Sequence, residues 1–222
     1  MADMSRHLRT RILLLAIAVP LALAGCGDSE KKATTATTST AAPELSTAFG
    51  EMDKLAGVLE TPPPWPTNEA KLQLRLREIG IPALREEGQV VHIHQQLDVF
   101  VDGTKVPIPP NIGIGPQSAF ISPLHTHEDP ASIMHVESPT ASRFSLGQFF
   151  AVWGVRLDAR CIGAKCAGAD TQLRMWVDGK PVSGDPTRLV LAEHQVIVLA
   201  YGTAAQMPKK IPSTFDFEGA GV

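Results

Sequence analysis

A stretch of alternating apolar and polar side chains is the strongest structural constraint in this sequence. From position 91 to position 101 the chain reads VHIHQQLDVFV. Successive side chains of a β-strand point to opposite faces, so the alternation predicts a strand with one face in the core. The core face carries Val91, Ile93, Leu97, Val99 and Val101, interrupted only by Gln95. The other face carries His92, His94, Gln96, Asp98 and Phe100.

Histidines recur at the same spacing further along the chain. A second His-x-His pair stands at positions 125 and 127, and another histidine follows at 135. Imidazole is a ligand for zinc, copper, iron and nickel, and two rings on one strand face can reach a single ion. The sequence therefore predicts a copper or zinc site formed by His92, His94, His125, His127 and His135. A buried structural histidine network and unrelated surface histidines are the alternative interpretations.

The loop before His135 decides whether that histidine meets the second pair. Residues 124–127 and 133–137 are predicted to form an antiparallel hairpin around a five-residue loop. Paired residue numbers in such a hairpin have a constant sum, here 260, which places His135 opposite His125. A four-residue loop would place Met134 there instead.

Carboxylates close to the histidines in sequence are candidates for accepting the second ring N–H group of each ligand, which fixes the tautomer. They are Asp98, Glu128, Asp129 and Glu137. Met134 offers a thioether that would favour copper if it turned inward, but in a regular strand it points away from His135.

The N-terminus predicts export. A basic start precedes an apolar run over residues 12–24 that is too short for an ordinary membrane-spanning helix. The run ends in Leu23, Ala24, Gly25 and Cys26, which resembles the lipobox of bacterial lipoproteins. The resemblance implies that residues 1–25 are a signal peptide and that Cys26 is the lipidated mature N-terminus. It also implies a membrane partner, on the extracytoplasmic face of a bacterial cell envelope.

Composition outlines the rest of the chain. Residues 26–64 are predicted to be a flexible tether, residues 65–204 a globular domain, and residues 205–222 a loose C-terminal tail.

The formal net charge is −3, and without segment 1–25, which holds three arginines and one aspartate, it becomes −5. Apart from two lysine pairs, Lys31 with Lys32 and Lys209 with Lys210, basic residues do not cluster after the signal, which argues against nucleic acid as a partner.

The remaining cysteines predict a disulfide. If Cys26 is lipidated, Cys161 and Cys166 are the only other thiols of an exported chain, where disulfides persist. Metal ligation by these two residues is the alternative, but no second cysteine pair exists to complete a tetrahedral thiolate site.

Local patterns define the fold class. Helices are predicted over residues 68–79, with Asn68 as cap, and over 145–153, with Ser145 as cap. Asp-Gly turns at 102–103 and 178–179 predict hairpins, and a third hairpin is expected around residues 192–195. The sequence thus predicts a single α+β domain, mostly antiparallel, with two short helices packed on the sheet.

Known histidine motifs match only in part. The glutamate ligand of cupins follows His-x-His after a few residues, whereas Glu128 follows His127 directly, and the α-carbonic anhydrase ligand set resembles His92, His94 and His135 only loosely. The stretch comprising HIH at 92–94, LHTH at 124–127 and HVESP at 135–139 is similar to an uncharacterised domain of exported prokaryotic proteins. That domain continues into a Leu-Gly-x-Phe-Phe helix, matched at 146–150, and the resemblance implies no activity.

These observations favour a membrane-tethered extracytoplasmic protein that binds copper or zinc for metal handling or sensing. The chain has no Gly-x-Ser-x-Gly elbow and no phosphate-binding loop. A metal-dependent enzyme with a three-histidine site, of hydratase, hydrolase or oxidoreductase type, is one alternative. A structural or partner-binding module is the other.

The lipobox generates the first testable prediction. Replacing Cys26 with serine removes the thiol that would be acylated, so Cys26→Ser protein should leave the membrane fraction or retain its signal peptide. Cell fractionation and mass spectrometry of the N-terminus measure both, with Ser29→Ala as the control. Normal cleavage together with unchanged membrane partition would refute the lipoprotein interpretation.

Overall fold

A computed structural model describes residues 52–128 and 132–222. The predicted signal peptide, Cys26 and most of the predicted tether lie outside the described residues, as does Asp129. No helix in the described part of the chain is long and apolar enough to cross a membrane.

The described residues form a mostly β domain with one mixed seven-stranded sheet and two α-helices. The strands are β1 (Val91–Val101), β2 (Thr104–Val106), β3 (Leu124–His125), β4 (Ile133–Ser138), β5 (Cys161–Ile162), β6 (Lys165–Cys166), β7 (Gln172–Val177), β8 (Lys180–Val182) and β9 (Gln195–Gly202). The helices are α1 (Leu72–Glu78) and α2 (Leu146–Trp153).

The sheet has the order β3-β4-β1-β9-β7-β8, and β2 pairs with the last residues of β1. Every pairing in it is antiparallel except that of β1 with β9. The prediction of a mostly antiparallel domain with little helix is therefore confirmed in outline, and the central parallel pair is an addition. Parallel strands need a long crossover, here the chain between β1 and β9, which includes α2.

Both faces of the sheet are covered. Leu97, Val99 and Val101 lie in the main core together with α2, as the alternation predicted. The opposite face carries Ile133 and Val196, which pack against Phe217. The C-terminal segment is rich in proline, lysine and glycine, which predicts a loose tail, but its Phe215 and Phe217 pack on this second face. Packing also extends before position 65, since Met52 belongs to the main core.

Of the two helix caps predicted from the sequence, one is confirmed and one is wrong. The cap of α2 is confirmed: the Ser145 hydroxyl accepts from the Gln148 backbone N–H, and the Gln148 side chain accepts from the Ser145 N–H. The predicted Asn68 cap is wrong, because α1 starts only at Leu72 and the Asn68 amide donates to the Gly57 carbonyl.

The two Asp-Gly turns and the disulfide follow the prediction, whereas the hairpin expected around residues 192–195 is wrong: residues 188–191 form no strand, and β9 pairs with β1 and β7 instead. Both Asp-Gly turns have positive φ at the two central residues, as a two-residue hairpin of type I′ requires. Cys161 and Cys166 face each other across the β5–β6 hairpin and form the predicted disulfide.

Gly113 controls how closely the preceding loop approaches β3. Its φ is +77°, and a Cβ there would overlap the carbonyl oxygen of Leu124 and lie 3.1 Å from the Cβ of His125. Glycine is therefore required twice, by the backbone conformation and by the close approach.

We expect Gly113→Ala to lower the free energy of unfolding by about 2 to 4 kcal/mol, through strain at positive φ together with the steric overlap. Gly80→Ala is the matched control, because Gly80 has φ +69° and no atom lies within 4 Å of the position that an alanine methyl group would take. The control should lose only about 1 kcal/mol, the conformational part alone. Urea unfolding of both variants measures the difference, and equal losses would show that the approach to β3 is not tight.

Candidate metal centre

Strand register brings three histidines into a row across the sheet. His125 pairs with His135 between β3 and β4, and His135 pairs with His94 between β4 and β1. The first pairing has the sum 260 that a five-residue loop predicts. Residues directly opposite each other on neighbouring strands project to the same face, so the three rings lie together.

The other two histidines extend this row into one continuous cluster. His92 contacts His94 with ring centroids 4.9 Å apart, and His94 lies 4.7 Å from His135. His135 in turn lies 5.1 Å from His125 and 4.6 Å from His127. The structure therefore brings together all five histidines that sequence spacing singled out.

Exposure differs along the cluster. The side chain of His125 is fully buried, while those of His92 and His127 are 44% and 39% exposed. The centre of the cluster is thus shielded from water, and its two ends reach solvent.

Glu137 lies in the middle of the cluster. It pairs with His92 across the β1–β4 ladder and stands two residues after His135 on the same strand face. Its Oε1 atom is 3.1 Å from His135 Nδ1, 3.5 Å from His92 Nε2 and 3.9 Å from His125 Nε2. The side chain is only 3% exposed, and among the described residues its Oε2 atom has no hydrogen-bond partner. Glu137 was predicted to orient a ring, but its position also makes it a candidate ligand.

The tautomer of His125 follows from its hydrogen bond. His125 Nδ1 lies 3.0 Å from the backbone carbonyl oxygen of Ser122. A carbonyl oxygen only accepts, so Nδ1 carries the hydrogen and Nε2 keeps a lone pair. That Nε2 atom lies 3.1 Å from His127 Nε2. A neutral ring held by its other nitrogen is the form in which histidine binds a metal.

Burial keeps the central imidazoles neutral. It lowers the pKa of His125 to about 3, although the charge of Glu137 acts in the opposite direction. For His94, burial and then the positive charges of His135 and His92 lower the pKa to about 4.

Glu137 remains ionised among these rings. Burial by itself raises the pKa of this carboxyl group, but the hydrogen bond from His135 and the charges of His125 and His92 outweigh it and lower the pKa. At neutral pH this carboxylate is thus buried near the neutral imidazole of His125, an environment in which a bound cation would be stabilised.

In the part of the chain that the structure describes, two overlapping groups of side chains are close enough to hold a metal ion. In each group the ligand atoms lie within 4.8 Å of one another. The first consists of His125, His127, His135 and Glu137, and the second of His92, His94 and Glu137.

Of the other predicted carboxylates that the structure describes, Asp98 and Glu128 do not join the cluster. Asp98 lies on the histidine face of β1 but four residues beyond His94, and it contacts Lys105 Nζ at 2.7 Å and Gln96 Nε2 at 2.6 Å. Glu128 is exposed in the loop after β3. Met134 is buried in the main core, on the face away from His135 as expected.

Sequence reasoning missed Glu87. Its Oε1 atom lies 3.4 Å from His127 Nε2 and 3.9 Å from His125 Nε2. Glu87 stands in the irregular segment before β1, where no periodicity relates it to the histidines. Only the three-dimensional path of that segment places it beside the cluster.

Comparison with known proteins finds no relative: no family model matches the chain, and no curated protein or solved structure matches it significantly. The geometry of the site itself therefore carries the functional conclusion.

The depressed histidine pKa values predict how the metal-free protein responds to acid. In the unfolded chain His94 and His125 take up protons near the ordinary histidine pKa of 6.5, whereas in the folded protein they do so only near pH 4 and pH 3. Between pH 6.5 and pH 4 the unfolded state therefore binds more protons, and stability falls as the pH falls. Urea midpoints measured with a chelator at pH 7, 6 and 5 should decrease in that order.

Substitution of His125 separates this effect from other acid-sensitive groups. We expect the decrease between pH 7 and pH 5 to be clearly smaller in His125→Gln and to change little in His194→Asn, because the charge of His194 has the smallest of the effects that act on the pKa of His94. His194 is half-exposed and its backbone has φ +57°, a conformation that asparagine tolerates. The same pH dependence in wild-type and His125→Gln protein would contradict the assignment to this ring.

Proposed function

We propose that this chain binds a transition metal ion, copper or zinc, through His125, His127, His135 and Glu137. The observation that carries the proposal is the lone pair of His125 Nε2, which is held next to His127 Nε2 and near a buried carboxylate. The Oε2 atom of Glu137 supports it, because this atom has no hydrogen-bond partner among the described residues, and a buried carboxylate oxygen without a hydrogen bond is costly unless a cation binds it.

The ligand types favour a borderline metal. Three imidazole nitrogens and one carboxylate oxygen suit zinc or copper(II), whereas calcium and magnesium prefer sets made of oxygen. Because the rings are neutral, one carboxylate leaves a divalent ion with a net charge of about +1. Met134 lies in the core, so this site gains no thioether that would select copper(I).

The proposed biological role is metal handling or sensing outside the cytoplasm. The lipobox-like N-terminus supports a protein tethered to the extracytoplasmic face of a bacterial membrane. His127 and Glu87 are 39% and 42% exposed, so an ion at this end can exchange with solvent or with a partner.

A metal-dependent enzyme is the second candidate, favoured by the same exposure. A metal at the solvent-facing end could keep a water molecule in an open coordination position and lower its pKa. A purely structural network is less well supported. Among the described hydrogen bonds, only the His125 ring contacts a backbone group, while His127 and His135 contact other side chains of the cluster.

Metal binding by protein purified without a His-tag tests the proposal. We expect calorimetry at pH 7.5 to show binding of Zn²⁺ or Cu²⁺, and metal analysis to find the ion retained after gel filtration. His125→Gln and His127→Gln should each weaken binding by about 10- to 100-fold or more, the range seen when groups around a metal are lost.

Two controls separate ligand loss from unfolding. His194→Asn removes a histidine outside the five-membered cluster and should bind as the wild type does. His127 is half-exposed, so its replacement should leave the urea midpoint of the metal-free protein nearly unchanged. Absence of both Zn²⁺ and Cu²⁺ binding in the wild type, or wild-type affinity in both cluster variants, would refute the proposal.

A further inference from the structure

We infer that the histidine cluster is a dinuclear centre, which holds two divalent metal ions bridged by the carboxylate of Glu137. The inference rests on the proposed function, since it requires the histidines to bind metal, and it adds the number of ions and the way they are joined. The observation that supports it is that the two groups of possible ligands lie side by side and share the buried carboxylate of Glu137.

The cluster holds more ligands than one ion can use. A zinc ion bound by protein groups is usually four-coordinate, with ligand atoms about 2.0 to 2.2 Å from the metal. Five imidazoles and Glu137 exceed that number. They are also spread over three strands, and neighbouring strands lie about 4.8 Å apart, so the outer rings start from backbones separated by about 10 Å.

Ring contacts divide the cluster into two ends. His92 contacts His94 at one end, and His125 contacts His127 at the other, with centroid distances of 4.9 and 4.8 Å. His135 lies between them and contacts both ends, at 4.7 Å from His94 and 5.1 Å from His125. Each end thus offers a pair of imidazoles of its own to a separate ion.

Glu137 is the member that both ends share. Its Oε1 atom lies 3.5 Å from a nitrogen of His92 at one end and 3.9 Å from a nitrogen of His125 at the other. A carboxylate has two oxygens with about four lone-pair sites, enough to bind two ions at once. The second oxygen, Oε2, is buried and has no hydrogen-bond partner among the described residues. One oxygen for each ion uses both atoms of the group.

Charge is balanced unevenly between the two ends. At the His125 end, Glu87 adds a second carboxylate 3.4 Å from His127 Nε2. At the other end His92 is 44% exposed, so water can complete the coordination there. The ion at the His125 end therefore has more protein ligands and should bind more tightly. The ion next to His92 and His94 should bind more weakly.

Copper(II) is a suitable probe because it reports both the number of ions and their coupling. The mature full chain, purified without a tag, is loaded with Cu²⁺, passed through gel filtration, and analysed for metal and by electron paramagnetic resonance. We expect two ions per wild-type chain and a spin count below two, since copper(II) ions joined by a carboxylate couple magnetically. The double variant His92→Gln/His94→Gln should hold one ion with a full single-ion signal, and His194→Asn should behave as wild type.

Each outcome supports or overturns a separate statement. No bound copper and no bound zinc overturns the proposed function. One ion in the wild type, or two ions in the His92→Gln/His94→Gln variant, overturns the dinuclear inference and leaves the proposed function in place. Two ions with a full two-spin signal overturn the Glu137 bridge. Glu137→Gln keeps the shape of the side chain, so loss of coupling or of one ion in this variant supports the bridge, and unchanged coupling overturns it.

Discussion

The antiparallel register of β4 with both of its neighbours is the constraint on which the site depends. His135 faces His125 on one side and His94 on the other, so three rings from distant positions share one small patch. A slip of one residue would turn His135 and Glu137 toward the core and bring Met134 and Val136 to the site. Because Met134 and Val136 are buried in the main core, such a slip would expose apolar area, and the core therefore maintains the register of the site.

The site combines burial with unusual polarity. Glu137 is 3% exposed and His125 is fully buried, yet they lie on the sheet face that the alternating pattern marks as polar. The covering of that face continues next to the cluster, where Phe217 stacks on His194 at a centroid distance of 4.4 Å and packs on Ile133. Loss of solvent lowers the pKa values of the central histidines, which leaves lone pairs available to a cation at neutral pH.

Local sequence rules succeeded where the interacting residues are close along the chain. The alternation in β1 predicted which face carries His92 and His94, and the five-residue loop predicted the pairing of His125 with His135. The α2 cap, the Asp-Gly turns and the disulfide are likewise closures over a few residues. The predicted Asn68 cap is wrong because α1 begins only at Leu72. The Asn68 side chain instead donates a hydrogen bond to the backbone carbonyl of Gly57, which is distant in sequence.

The sequence by itself determined the histidine face of β1 and the histidine pairing within the β3–β4 hairpin, because strand alternation and loop length are local properties. Only the tertiary structure decided that β4 lies beside β1, which joins the two histidine pairs around Glu137. It also decided the parallel pairing of β1 with β9 and the approach of Glu87 to His127. Those choices depend on how the whole core packs, since pairing between strands distant in sequence is favoured by the total area buried and not by any local pattern.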